Sequence, residues 1–318
     1  MEAWQRGERN KFSGVPEQKN STTKLQSWQR EAGKFSAEGY WSKENTDLKD
    51  YDEEVKINTT DVFRKGLVNG KYSDSEARTQ WTAHYRMIIP LKTKGKVLIK
   101  MTFEMSKIGD GVTDQDIEKT KQFILNINKI WNGNFTLQVT DTRNMSCNPI
   151  RLPIEFDIQF AYKGEKIING ERHPHKIELY KQIPIIHGTK LRPRLEKGKT
   201  FLLETDPSVF SRAYTYAHEF GHALGLPDEY GYDPITDSYV QYHKSDGSLD
   251  KTKYLAFHEG KNRLQQDPQE NIMSVFDSCK ITERQGWVLG IAAKKVLDDS
   301  RYRCEFFLTE VMIRAIFV

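Results

Sequence analysis

Three cysteines in 318 residues, Cys147, Cys279 and Cys304, are too few and too widely spaced for a disulfide framework or a cysteine-based zinc knuckle. Their odd number leaves at most one pair that could close in an oxidising compartment. No apolar run is long enough to span a bilayer, which excludes membrane insertion by a helix, and the opening MEAWQRGERNKFSGV has no apolar segment that a signal peptide needs. The expectation is synthesis in the cytoplasm without a signal peptide, and export, if any, by a specialised route. Charge of one sign is also lacking. Lys and Arg total 48 against 44 Asp and Glu, and a net charge of +4 supplies no concentrated basic face for nucleic acid. The densest basic stretch, HGTKLRPRLEKGK at 187–199, has no interleaved aromatics and reads as a solvated connecting loop. There is no internal repeat.

What the chain does have is divided unevenly. Hydrophobic residues make up 37% and charged residues 29%. The polar excess collects in residues 1–80, where Trp4, Trp28, Tyr40 and Trp41 stand isolated and no period of 2 or 3.6 is sustained. That segment is expected to be a loosely packed arm or a delivery segment, with the folded domain spanning 81–318. Beyond Trp81 the periodicities appear. KVLIKMTFEMS puts Val97, Ile99, Met101, Phe103 and Met105 on one face of a strand. TDQDIEKTKQFILNINKIW begins with Thr113 and Asp116 in capping-box spacing and groups Phe123, Ile124, Ile127, Ile130 and Trp131 on one face of a helix. FTLQV (135–139), IEFDIQFAY (154–162), KIELYKQI (176–183) and FLLET (201–205) read as further strands, and a helix from about Ser211 to Leu224 follows. The order strand, helix, four strands, helix implies an α+β layer arrangement.

The last helix carries AHEFGHALGLPDEYG. One turn apart, His218 and His222 lie on the same face and can converge on one ion, while Glu219 beside them is placed to take a proton from water that the ion polarises. Gly225 can end the helix in a left-handed turn, Pro227 prevents it from resuming, and Asp228 follows three residues after that glycine. The bland rival is a surface helix with two exposed histidines and no ion; a structural metal would not need Glu219 beside its ligands and usually recruits cysteines. His173 and His175, split by a proline in ERHPHK, read as exposed loop residues, and His243 and His258 as solvated residues of a polar insertion.

HExxHxxGxxD, with Met273 in ENIMS and a later helix in ITERQGWVLGIAAKKVL opened by Thr282 and Gln285, resembles the metzincin clan of zinc peptidases. The resemblance covers about residues 95–297. It implies a zincin-like α+β fold: a twisted mixed five-stranded sheet, a long backing helix, the active-site helix, and a C-terminal helical subdomain below the metal. It implies Zn²⁺ held by His218, His222 and a carboxylate, with Glu219 as the catalytic base. Asp228 has the clan's ligand position, while Glu270, just before the turn methionine, is the competing third ligand, and Glu229 adjoins Asp228. Substrate would lie along a sheet edge, for which KIELYKQI is the expected strand, and Tyr230 or Tyr232 would face the oxyanion.

The Asp form followed by LPDEY is similar to small secreted bacterial metallopeptidases and to the peptidase domains of bacterial antagonistic toxins, including those fused to type VI secretion spikes. That likeness implies a zinc endopeptidase used as an antibacterial or virulence effector, with a protein or peptide substrate, a cognate immunity (inhibitor) protein and a secretion-apparatus component as partners. The alternatives are a cell-wall peptide amidase of the same chemistry and a binding module on a degenerate zincin fold.

Overall fold

The computed structural model describes residues 39–60, 67–68, 71–72, 80–162, 174–183, 185–186, 189–190, 194–196, 200–205, 213–226, 238–244, 246–257, 271–274, 280–297 and 300–309. In chain order they form β1 (Tyr51–Thr60), the two-residue β2 (Leu67–Val68) and β3 (Lys71–Tyr72), β4 (Gln80–Ile89), β5 (Val97–Ile108), α1 (Asp114–Trp131), β6 (Phe135–Asp141), β7 (Ile150–Tyr162) and β8 (His175–Tyr180). Then come the short β9 (Ile185–Ile186), β10 (Thr189–Lys190) and β11 (Arg194–Glu196), β12 (Thr200–Glu204), α2 (Ala213–Ala223), β13 (Ser238–His243), β14 (Leu249–Phe257), α3 (Trp287–Val296) and β15 (Tyr302–Leu308).

The molecule is α+β, built on one mixed sheet of nine strands rather than five. Its spine runs β11-β12-β8-β5-β7-β6-β15, of which β12, β8, β5 and β7 are parallel. β5 is the branch point. One edge pairs along its length with β7; the other pairs first with β4, from Leu98 to Lys100, and then with β8, from Phe103 to Ile108. The alternation read in β5 is confirmed, since Val97, Ile99, Met101, Phe103 and Met105 are all buried.

His175 sits at that fork. Its Nε2 lies 2.8 Å from the His84 carbonyl, which ties the start of β8 to β4 where the two strands part, and its ring packs against Phe103 and Phe201. The exposed-loop assignment of His175 is therefore wrong: only 4% of it is accessible. Burial holds its pKa down at about 4. The neutral ring is thus the folded form, while an unfolded chain takes up a proton as pH falls below about 6.5. Stability contributed by this group is present above that value and is lost as pH falls towards the folded pKa, by about 3 kcal/mol over the window between 6.5 and 4. His175→Gln keeps an N–H for the His84 carbonyl but cannot titrate. Urea unfolding at pH 7 and pH 4.5 should show a smaller acid loss in the variant than in wild type; parallel pH dependences would refute the assignment.

α1 is the backing helix. Its capping box is formed, with Thr113 Oγ1 accepting from the Asp116 N–H and the Asp116 carboxylate accepting from the Thr113 N–H. Ile117, Ile124, Ile127 and Trp131 are buried. Trp131 sets the position of α2. Its indole N–H donates to the Ala217 carbonyl at 3.0 Å, and its ring meets Phe220 and Phe156 edge-on, with Phe156 in turn edge-on to Phe220.

Several expectations are corrected by the packing. The boundary at residue 80 falls inside the sheet, because β1 pairs with β4 over ten residues, from Tyr51↔Ile89 to Thr60↔Gln80, and Tyr40, Trp41 and Leu48 are buried. Residues 1–38 lie outside the described residues. β8 is flanked by β5 and β12, so it is no edge; the edge beyond β12 is β11, which lies in the basic stretch read as loop. The polar insertion contains the β13–β14 hairpin. Where a C-terminal helical subdomain is expected, the described residues after α3 form β15, which pairs with β6 over seven residues.

Candidate metal centre

The α2 sequence places His218 and His222 one turn apart on one helix, with Glu219 next to His218, and the helix is held from beneath by Trp131. The two imidazole centroids are 4.8 Å apart with ring planes at 88°. His222 and Glu219 are buried, and His218 is half-buried. Each imidazole has its Nδ1 2.7 Å from a backbone carbonyl, His218 from Ile272 and His222 from Leu226. A carbonyl oxygen only accepts, so each Nδ1 donates and the neutral ring carries its lone pair on Nε2. This is the tautomer and orientation that a metal-binding histidine needs.

The carbonyl that holds His222 is delivered by the end of the helix. Gly225 has φ +97°, in the left-handed region, and the Gly225 N–H donates to the His222 carbonyl while the Leu226 N–H donates to the Gly221 carbonyl, both at 2.9 Å. This reversal closes the last turn and leaves the Leu226 carbonyl aimed back at the His222 ring. An alanine there would be strained by φ alone, and its Cβ would come within 3.3 Å of Ala83 Cβ.

The carbonyl that holds His218 comes from a separate turn, Asn271–Ser274, which carries the expected methionine. Asn271 Oδ1 accepts from the Met273 N–H at 2.8 Å and from Gln285 Nε2 at 3.1 Å, and the Asn271 N–H donates to Ser274 Oγ. Gln285 Oε1 accepts from the Thr282 N–H and hydroxyl, as the capping-box spacing implied, so the start of α3 is locked to the turn. Asn271, Met273 and Gln285 are fully buried. Met273 lies under α2 against Gly221, where any Cβ would collide with its sulfur.

The structure thus brings together His218, Glu219, His222 and Met273. Asp228, Glu229, Tyr230, Tyr232, Glu270, His173 and His258 lie outside the described residues, and for His243 only the backbone, in β13, is described. Among the described residues no cluster of three or more His, Cys, Asp or Glu forms. Asp228 lies two residues beyond Leu226 and Glu270 directly before Asn271, so each adjoins a segment that holds one of the histidines. Asn271, its bond from Gln285 and the two orienting carbonyls are not marked in the sequence. Gly225 signalled the turn, but no residue type marks a carbonyl as a histidine's partner.

Fold and site define an α+β protein with a mixed, curled sheet and an HExxH helix whose two imidazoles are fixed by backbone carbonyls. No protein-family model, curated protein or solved structure matches the chain.

Proposed function

We propose that the chain is a zinc-dependent endopeptidase of metzincin type. The observation that carries this reading is the pair of Nδ1-to-carbonyl bonds, which commits both imidazoles to the Nε2 lone pair one helical turn apart. The sheet supports it: within the nine strands, β7, β5, β8, β12 and β11 make a mixed five-stranded unit backed by α1, and α2 follows β12. Met273 packed under Gly221 supports it further.

The donor set fits zinc, since two imidazole nitrogens and one carboxylate, from Asp228 or Glu270, leave a position for water or substrate. When bound, Zn²⁺ would supply a Lewis acid that polarises the scissile carbonyl and acidifies the attacking water. The protein's own contribution is the Glu219 carboxylate, which takes the proton of that water and returns it to the leaving nitrogen, and the two carbonyls that keep the imidazoles from turning. The same chemistry serves a cell-wall peptide amidase. A degenerate binding module is disfavoured by the intact His218, Glu219 and His222. The biological role proposed is that of a bacterial antagonistic or virulence effector delivered by a specialised secretion system and neutralised at home by a cognate inhibitor. Among the described residues no helix is long and apolar enough to cross a membrane.

Purified protein should contain about one zinc per chain, removable by a strong chelator, because the site is built from open nitrogen and carboxylate donors. Folded protein without zinc after reconstitution refutes the reading.

Asp228→Ala and Glu270→Ala separate the two candidate ligands. Loss of a true ligand leaves a two-histidine site that retains little metal, whereas a carboxylate acting through a ligand costs about 10 to 100-fold in affinity. Metal analysis after dialysis should find zinc in one variant and little in the other. Equal retention in both would move the third ligand elsewhere, with Glu229 next in line.

A further inference from the structure

We propose that Thr59, in the first strand of the sheet, is a positioning residue for the metal centre; the inference rests on the zinc reading above. Thr59 is 166 positions from Gly225 in sequence, yet its Oγ1 donates to the Gly225 carbonyl at 2.5 Å, and the side chain is buried. Gly225 is the left-handed residue of the helix end, and the peptide that follows it carries Leu226, whose carbonyl accepts from His222 Nδ1 at 2.7 Å. The chain of contacts is therefore Thr59 hydroxyl, Gly225 carbonyl, Leu226 carbonyl, His222 imidazole.

Among the described residues this turn is held both from within and from the first strand. Its two internal bonds, Gly225 N–H to His222 and Leu226 N–H to Gly221, fix where the helix stops. They do not engage the carbonyl of Gly225, and a glycine in the left-handed region is the residue least able to resist rotation of its own peptide. The Thr59 hydroxyl supplies that restraint from a different element, while its Cγ2 and Ala83 on the neighbouring strand close the space a larger residue would fill. β1 is in turn registered on β4 through the Thr59↔Trp81 pair. A segment whose composition reads as a delivery arm thus holds the second zinc histidine in place.

The test compares zinc dissociation constants, by competition with a chromogenic chelator, for the full chain and its variants. Thr59→Val keeps the shape and removes the hydroxyl, Thr59→Ser keeps the hydroxyl, and Thr120→Val removes a buried threonine hydroxyl that bonds only its own helix, at Asp116 O in α1. Thr59→Val is expected to weaken zinc about tenfold, since partners that orient ligands are worth about 10 to 100-fold and this one acts one bond further out. Thr59→Ser should stay within about twofold of wild type, and so should Thr120→Val. The Co²⁺-substituted protein should show a shifted visible spectrum in Thr59→Val alone, a change that loss of stability by itself does not produce. If Thr59→Val does not fold, Thr59→Cys, with its weak thiol donor, carries the same comparison and should weaken zinc less than tenfold but measurably. Wild-type protein that binds no zinc overturns the peptidase reading and this inference with it. Wild type that loads normally, with Thr59→Val or Thr59→Cys unchanged or with Thr120→Val equally weakened, overturns the role of Thr59 alone.

Discussion

Glu219→Gln protein is expected to fold and take up zinc as wild type does while losing about 10²- to 10⁴-fold in peptide hydrolysis, the range measured when a positioned general base is removed. Glu219 follows His218 directly on α2 and is buried, and in the proposed centre it is the base rather than a ligand. Both histidines have their rings fixed by the carbonyls of Ile272 and Leu226, and neither of those two bonds involves the side chain of residue 219. Glutamine nearly preserves the shape and the hydrogen-bonding reach but cannot accept the proton of the attacking water. The measurement is metal content, circular dichroism and turnover of a casein or peptide-library substrate on the same preparations. A variant that keeps full activity would remove Glu219 from proton transfer. In the effector setting the same variant should lose toxicity when directed to the target compartment; folded, zinc-loaded Glu219→Gln that remains fully toxic would put harm by binding in place of harm by hydrolysis.

Much of the frame that carries this site is legible residue by residue. β5 and β7 announce themselves because one face of each is buried, so apolar residues fall at alternate positions, and Thr113 with Asp116 marks the start of α1 by a local bond that needs no tertiary context. The HExxH helix and its glycine stop are local in the same sense. β1 is harder to see: Val55 and Ile57 are buried, but Glu53, in the same alternation, is exposed, and the segment YDEEVKINTT is too polar to stand out from the arm around it. What makes it a strand is β4, whose partners run from Gln80 for Thr60 to Ile89 for Tyr51. β15 was missed for a different reason, since Tyr302, Cys304 and Phe306 do alternate inward, yet the expected helical subdomain left no role for a strand there. His175 shows the limit from the other side. A proline before it suggests a loop, and only its pairing with Phe103 on β5 and its bond to His84 bury it. The orienting carbonyls of Leu226 and Ile272 are beyond sequence reading altogether, because every residue has a carbonyl and only the fold decides which one meets an imidazole.

Asp141 ties the early part of the chain to the rest, and its removal should be among the most damaging single changes outside the metal site. Its carboxylate, fully buried, accepts from the Tyr40 hydroxyl at 2.6 Å, from Arg301 Nε at 2.8 Å and from the Arg143 N–H at 2.9 Å. Burial alone would raise its pKa, but the bonds from Tyr40, Arg301 and Arg143 outweigh it and hold the carboxyl below its ordinary value. Arg301 extends the tie by donating to the Asp47 carbonyl, and the Thr142 N–H donates to Arg301's own carbonyl. Asp141→Ala would leave a largely buried guanidinium and a buried phenol without their acceptor, a class of change that costs about 3–5 kcal/mol. Against a total stability of about 5–15 kcal/mol this is a large fraction. Urea unfolding should show it as a lower midpoint at unchanged slope, and limited proteolysis should cut the segment around Tyr40–Leu48 sooner, since that segment loses an anchor. The pH dependence gives an independent check. A carboxyl with a lowered folded pKa contributes stability above the unfolded value of about 4, which is lost as pH falls through the folded one, so the gap between wild type and Asp141→Ala should narrow in acid. A variant as stable as wild type at neutral pH, with residues 40–48 equally protected, would mean that β1 and β4 alone fasten the early segment to the fold.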